Sequence, residues 1–154
     1  MKRSLLIISC SGSKDKTPGL LPAVMRYKGP LYPTLHKVMR EDRFPKSLDI
    51  LIVSAKYGLL TSGERITDYD QKIDEKRARE LGPSVQEKLK MFLEGKDYDQ
   101  LFNGLWKDYQ AVLEGFDLEK HFENVIPVEM NRGKRMSQLK VWITDLFESE
   151  NRKF

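Results

Sequence analysis

The chain has 154 residues, with 27 lysines and arginines against 23 aspartates and glutamates, so its formal net charge is +4. Hydrophobic residues make up 40% and charged residues 32%, which excludes a disordered or fibrous chain. A single cysteine excludes an internal disulfide and a zinc site built from two thiolates. The apolar run at residues 5–8 is too short for a signal peptide or a membrane span. We therefore expect a cytoplasmic protein with no membrane partner, folded as one domain over residues 1–148 with a polar tail over 149–154.

Short apolar runs without polar alternation predict four buried strands, at residues 4–9, 48–53, 98–105 and 124–128. Residues 15–33 hold four prolines, which favours an ordered loop with one short turn of helix. Apolar residues at helical spacing predict helices at 34–43, 74–95, 107–115 and 136–147, the second kinked or split at Gly82-Pro83. The alternation predicts an α/β fold with three layers, in which helices cover both faces of a mostly parallel four-stranded sheet.

The loops after the first two strands are the first candidates for a site, because ligands bind beyond the carboxyl ends of strands in open sheets. After the first strand, residues 10–14 combine two hydroxyls, a glycine and an ammonium group. This pattern predicts an anion site with Ser11, Ser13 and Lys14, and an ordinary polar turn is the alternative. Cys10 is a candidate catalytic nucleophile, and the alternative is a small buried apolar side chain.

The loop after the second strand offers a candidate acid–base pair. Lys56 is suited to neutralise a phosphate or act as a base, and Asp70 is its candidate partner in proton transfer. Tyr57 is suited to stack on a ring. A capped strand end and a surface salt bridge are the alternatives. Further candidate ligand-binding residues are Tyr27, Gly29, Tyr32, Ser54, Gly58 and Tyr69.

A basic cluster precedes the last predicted helix. Arg132, Lys134 and Arg135 lie where the helix dipole attracts anions, which makes them candidate nucleic-acid contacts, and a solvated helix face is the alternative. His36 and His121 lie in separate helix and turn patterns and do not predict a metal site. No cofactor is predicted.

Four segments together resemble the YaaA-like group, which comprises the peroxide-stress proteins and a related family of shorter uncharacterised domains. The segments are residues 10–14, Tyr27-x-Gly29 with Tyr32, residues 54–60, and Ile66-x-x-Tyr69-Asp70. The resemblance covers most of the chain through residue 73 and, more faintly, residues 107–109 and 135–142. It implies an α/β domain, a cytoplasmic setting, protection of DNA during oxidative stress, and DNA binding. It brings no settled reaction.

Two functional hypotheses follow. In the first, the loops after the first two strands form one pocket for a nucleotide, a nucleobase or nucleic-acid phosphates, with glycosidic or group-transfer chemistry on nucleobases. Tyr27 and Tyr57 would flank the ring in this pocket. In the second, the protein is a non-catalytic DNA binder in which Lys14, Lys56 and the basic cluster contact phosphates. The sequence leaves open the substrate, the presence of catalysis and the oligomeric state.

Overall fold

The computed structural model describes residues 2–127 and 129–152. The strands are β1 Arg3–Ser9, β2 Leu21–Pro22, β3 Leu48–Ser54, β4 Gly58–Thr61, β5 Arg65–Ile66, β6 Tyr98–Gly104 and β7 Asn124–Ile126. The α-helices are α1 Ala23–Arg26, α2 Tyr32–Arg40, α3 Glu75–Leu93 and α4 Arg132–Glu150. Two 3-10 helices occupy Lys107–Leu113 and Leu118–Lys120.

The main sheet is mixed and has five strands, in the order β4-β3-β1-β6-β7. The four predicted strands are its parallel members, and the α/β class is confirmed. The prediction of only four strands was wrong, because β4 adds an antiparallel edge beside β3. Gly58, with a φ of +76°, reverses the chain directly after β3 and pairs Leu59 and Leu60 with it. That apolar pair is too short to stand out as a strand in the sequence.

Helices cover both faces of the sheet, as the alternation of side chains along β6 shows. The Phe102 ring lies 5.1 Å from the Trp142 ring of α4, centre to centre. Asn103 points to the opposite face, where its amide donates to Gln110 of the first 3-10 helix. Among the described residues, no helix combines the length and hydropathy needed to cross a lipid bilayer.

Several element boundaries differ from the predicted ones. The helix α2 begins at Tyr32, because Pro33 is well placed in a first helical turn. The Asp74 carboxylate caps α3 as predicted, accepting from Arg77 N–H at 2.7 Å, but Gly82-Pro83 does not split that helix. Residues 107–113 form a 3-10 helix and not an α-helix. Residue 128 of the predicted fourth strand and residues 153–154 of the predicted tail lie outside the described residues.

The strand order reverses at the centre of the sheet. The chain passes from β1 to its neighbour β3, and then crosses over to β6 on the other side of β1. In open α/β sheets, a crevice for ligands forms at such a reversal, outside the carboxyl ends of the two strands. The topology therefore directs attention to the ends of β1 and β6.

Candidate functional site

A cavity of about 480 Å³ opens at the carboxyl ends of β1 and β6. Three stretches of chain and Pro30 line it; the stretches are the loop after β1, residues 70–73, and the residues that follow β6. The sequence predicted a pocket between the loops after the first and second strands. The structure places the cavity between the loops after β1 and β6 instead. The chain after β3 does not reach it in the predicted way, because it turns at once into the antiparallel strand β4.

The loop that carries Lys14 is held in place on both sides. Asp15 N–H donates to the Arg26 carbonyl at 2.7 Å, and Lys28 N–H donates to the Ser13 carbonyl at 2.9 Å. The guanidinium of Arg26 is fully buried and donates to four backbone carbonyls, those of Asp15, Thr17, Gly19 and Ile66. These bonds fix the position from which the Lys14 side chain reaches the cavity.

Backbone amides, and not hydroxyls, are the free donors of the loop after β1. The Ser11 hydroxyl donates to the Ser13 carbonyl at 2.6 Å and accepts from Gly29 N–H at 3.0 Å, so its predicted role in holding an anion gives way to a structural one. The exposed Ser13 does not line the cavity. Within the described part of the chain, the backbone N–H groups of Ser11, Gly12 and Ser13 donate to no other group. Three consecutive amides are thus free to bind an anion.

Residue 29 must be a glycine, because it lies too close to Ser11 for a side chain. A Cβ atom added to Gly29 would lie 2.6 Å from Ser11 Cβ, which is closer than real side chains approach. The glycine is therefore a packing residue behind the loop. Gly58, the other predicted glycine, forms the turn into β4.

The loops after β1 and β3 meet at the ring of Tyr69. Lys14 Nζ lies 4.5 Å from the centre of this ring, and Lys56 Nζ lies 5.8 Å from it. Among the described residues, no carboxylate lies within 4.0 Å of either ammonium group. The predicted pairing of Lys56 with Asp70 is thus not observed: Asp70 lines the cavity and Lys56 does not.

Three predicted ligand contacts are core residues. Tyr27 is fully buried, and its hydroxyl lies 2.7 Å from that of Tyr69. Ser54 is also buried, with its Oγ 2.8 Å from the Tyr69 hydroxyl, and the Tyr32 hydroxyl donates to a carbonyl of β1. Burial raises the pKa of Tyr27 to about 12 and raises the pKa of Tyr69 well above its ordinary value. These phenols stay protonated inside the core.

The second ring predicted to flank a ligand, Tyr57, also lies outside the cavity. It packs edge-to-face on Tyr69 with ring centres 5.4 Å apart, and its hydroxyl lies 3.1 Å from Thr67 Oγ1. Tyr27 and Tyr57 do not flank a ring in this cavity as predicted, because Tyr27 is buried and Tyr57 does not line it.

Cys10 lies in the wall of the cavity and is 5% exposed. Its Sγ lies 2.8 Å from the Tyr109 hydroxyl and accepts from Ala55 N–H at 3.3 Å. Burial, together with the neighbouring thiol, raises the pKa of Tyr109 well above its ordinary value. Sequence reasoning missed Tyr109 as a site residue, although it closely follows the third predicted strand and the strand-end rule used for the first two strands would have found it.

Trp106, which the sequence also did not single out, supplies the aromatic surface of the cavity. Its backbone N–H donates to the Ser9 hydroxyl at 3.0 Å. The guanidinium carbon of Arg135 lies 4.0 Å from the centre of its ring. Trp106 is partly exposed and lines the cavity.

The basic cluster is divided by the fold. Arg135 is fully buried and donates to the carbonyls of Gly104, Leu105 and Glu129, so its predicted contact with nucleic acid is wrong. Burial lowers the pKa of Arg135 below its ordinary value. Arg132 and Lys134 remain exposed in the first turn of α4. Lys134 lines a separate cavity of about 750 Å³ against α4, away from the crevice at β1 and β6.

The fold and the crevice define a class of protein, the open and mostly parallel α/β sheets. The cavity has polar and aromatic residues and lies where the strand order reverses. In such sheets this is the usual position of a small-ligand site. Within that class, the chain belongs to a family of unknown function, DUF6884, whose model matches residues 5–141. The match includes every stretch that lines the crevice. No curated protein matches the chain.

Proposed function

We propose that the protein binds a nucleotide in the cavity between β1 and β6, with the phosphate at the loop after β1. One observation carries the proposal: in the described part of the chain, the N–H groups of Ser11 and Gly12, two residues that line the cavity, have no hydrogen-bond partner, and Lys14 follows in the same loop. Phosphate binding needs several donors and a positive charge at one place. This loop supplies both.

The rest of the cavity suits the sugar and the base. A volume of about 480 Å³ lies within the range of small-molecule pockets, roughly 300–1,000 Å³. The carboxylates of Asp70 and Asp108 line it and can accept hydrogen bonds from ribose hydroxyls or ring N–H groups. Lys72 adds a second cation to the lining. The lining therefore offers cations for a phosphate and carboxylate acceptors for the ribose or the base.

If the protein is an enzyme, the proposed reaction is hydrolysis of the glycosidic bond between the sugar and the base. Asp70 would carry out the proton transfer. The oxygen of a water molecule would bond to C1′ of the sugar as the C1′–N bond to the base breaks, and Asp70 would take a proton from the water and return it to the base nitrogen. Of the three predicted catalytic residues, Cys10 and Asp70 line the cavity and Lys56 does not. Release of free base, followed by chromatography, tests this step. Asp70→Asn should abolish the release, and the exposed Asp117→Asn variant should retain it.

Calorimetric titration tests the binding itself. The four ribonucleoside monophosphates and inorganic phosphate are titrated into the wild-type protein, Lys14→Ala and Lys16→Ala. We expect a nucleotide to bind and Lys14→Ala to weaken it at least about tenfold, since a charge-assisted hydrogen bond contributes about 1.5–3 kcal/mol. The exposed neighbour Lys16 is the matched control and should leave the affinity unchanged. Failure of all four nucleotides to bind contradicts the proposal.

DNA binding, a place in the oxidative-stress response and kinship with the YaaA-like group stay predictions. Burial of Arg135 removes one of the five cations on which the DNA hypothesis depended. That hypothesis predicts that affinity for duplex DNA falls steeply with salt and that removing Arg132 and Lys134 lowers the slope. The nucleotide proposal predicts that the same double variant binds mononucleotides as the wild type does.

A further inference from the structure

We propose that Trp106 is the platform on which the base of the bound ligand stacks. This inference rests on the proposed function and deepens it, because it requires a ligand with a planar ring and not merely a phosphate. Base–aromatic stacking accepts any nucleobase, since every base presents a π face. Trp106 is the indole that lines the crevice, in the residues that directly follow β6.

The Trp106 ring is fixed before any ligand arrives. Its backbone is tied to β1 through the Ser9 hydroxyl, and one face of the ring is covered by the Arg135 guanidinium at 4.0 Å. Because Arg135 is fully buried, solvent and ligand reach the ring only where the guanidinium does not cover it. A ring held in this way loses little conformational freedom when a base stacks on it.

The setting of Arg135 favours a role in holding this ring. Among the described residues, no carboxylate lies within 4.0 Å of its guanidinium, so three backbone carbonyls and the Trp106 ring offset its charge. Burying a cation without a counter-ion is costly, and guanidinium groups stack well on indole rings. The arrangement joins the first turn of α4 to the residues that line the crevice, and it places a positive charge behind the platform.

The positions of Trp106 and Lys14 suit the two ends of a nucleotide. Lys14 and the free amides lie in the loop after β1, and Trp106 follows the neighbouring strand β6. A phosphate at the first loop and a ring against the indole would span the crevice between the two strands. A phosphate ester without a nucleobase, such as ribose 5-phosphate, would fill only one end.

Two single-tryptophan variants test the platform by fluorescence. The chain has two tryptophans, and Trp142 lines the separate cavity against α4. Trp142→Phe leaves only Trp106 as the emitter, and Trp106→Phe leaves only Trp142. AMP, GMP, CMP, UMP, their nucleosides and ribose 5-phosphate are titrated into both. We expect nucleotides to quench Trp142→Phe and not Trp106→Phe, and ribose 5-phosphate to quench neither.

Affinity provides the second readout. Trp106→Ala should bind nucleotides about tenfold more weakly, with unchanged affinity for ribose 5-phosphate, because only the stacking contact is lost. Nucleotide binding by calorimetry with no quenching of Trp106 would overturn the platform and leave the proposed function standing. Quenching by nucleosides without any contribution from the phosphate would support the platform and overturn the phosphate site. Absence of both binding and quenching overturns the proposed function and the platform together. If Trp106→Ala fails to fold, the quenching experiment on Trp142→Phe still tests the platform, because that variant keeps Trp106.

Discussion

The Arg135 guanidinium lies against the Trp106 ring and donates to the carbonyls of Gly104, the last residue of β6, and of Leu105, the residue after it. One side chain from the first turn of α4 therefore organises the backbone and the aromatic ring at the edge of the crevice. The contact that packs α4 against the sheet thus also involves a residue that lines the crevice.

Removal of Arg135 should destabilise the fold. Arg135→Ala leaves three buried carbonyls without their donor, and we expect the free energy of unfolding to fall by about 3 kcal/mol or more. Urea denaturation measures the change. The exposed Arg132→Ala variant, on the same helical turn, should stay within about 0.5 kcal/mol of the wild type. Equal stability of the two variants would contradict the structural role.

Gly29 and Gly12 form a matched pair for the loop after β1. A Cβ at Gly29 would lie 2.6 Å from Ser11 Cβ, while a Cβ at Gly12 would meet no atom within 4 Å. We expect Gly29→Ala to displace the loop, to lower the melting temperature and to weaken nucleotide binding, and Gly12→Ala to leave the melting temperature nearly unchanged. Thermal unfolding and calorimetric titration check both. A Gly29→Ala protein as stable as Gly12→Ala would show that Ser11 can move at no cost.

The carboxylate of Asp49 should make the stability of the fold depend on pH in the acid range. Hydrogen bonds from Arg3, and then from the Tyr98 hydroxyl, hold the pKa of Asp49 below its ordinary value. A lowered pKa in the fold stabilises the protein above the unfolded pKa of about 3.9, and the contribution is lost as the pH falls through the folded pKa. Asp49→Asn should be less stable than the wild type at pH 7, and the difference should shrink below about pH 4.

Chemical denaturation at several pH values measures this difference. Glu119→Gln, an exposed carboxylate on the second 3-10 helix, is the control and should track the wild type at each pH. A gap between Asp49→Asn and the wild type that stays constant down to pH 3 would contradict the prediction.

Tyr27, which is buried, and Tyr69, which is partly buried, should make the protein less stable at high pH. Burial raises the pKa of Tyr27 to about 12 and that of Tyr69 further, whereas an unfolded tyrosine titrates near 10. A raised pKa in the fold gives stability that is complete below the unfolded pKa and is lost as the pH rises through the folded pKa. We expect the melting temperature to fall progressively from about pH 10 to 12, with a shallower decline in Tyr69→Phe than in the control Tyr57→Phe.

A ligand in the crevice should protect Cys10 from alkylation. The thiol is 5% exposed and lines the cavity, so iodoacetamide should modify the native protein slowly and the unfolded protein rapidly. Saturating nucleotide should slow the modification further, because the ligand occupies the approach to Cys10. Mass spectrometry of timed samples measures the rates. Modification at the same rate with and without bound nucleotide would place the ligand elsewhere.

Local patterns were sufficient for most of the framework. Apolar runs marked the four parallel strands, and Asp74 marked the start of α3, because strand burial and helix capping depend on residues close in sequence. The strand β4 escaped prediction, since Gly58–Thr61 carries too few residues for a recognisable pattern and its pairing with β3 depends on one turn. The strand-end rule predicted that the loops carrying Lys14 and Lys56 meet at one edge of the sheet, but it did not predict that both lysines lie against Tyr69.

The sequence by itself determined the class of fold, the positions of its main strands and the polar character of the loop at residues 10–14. Only the tertiary structure decided the order of the strands, and with it the crevice between β1 and β6. It also decided that Arg135 and Tyr27 face inward while Trp106 lines a cavity. The physical reason is that the direction and burial of a side chain depend on which distant elements pack against it, and short-range patterns do not encode that choice.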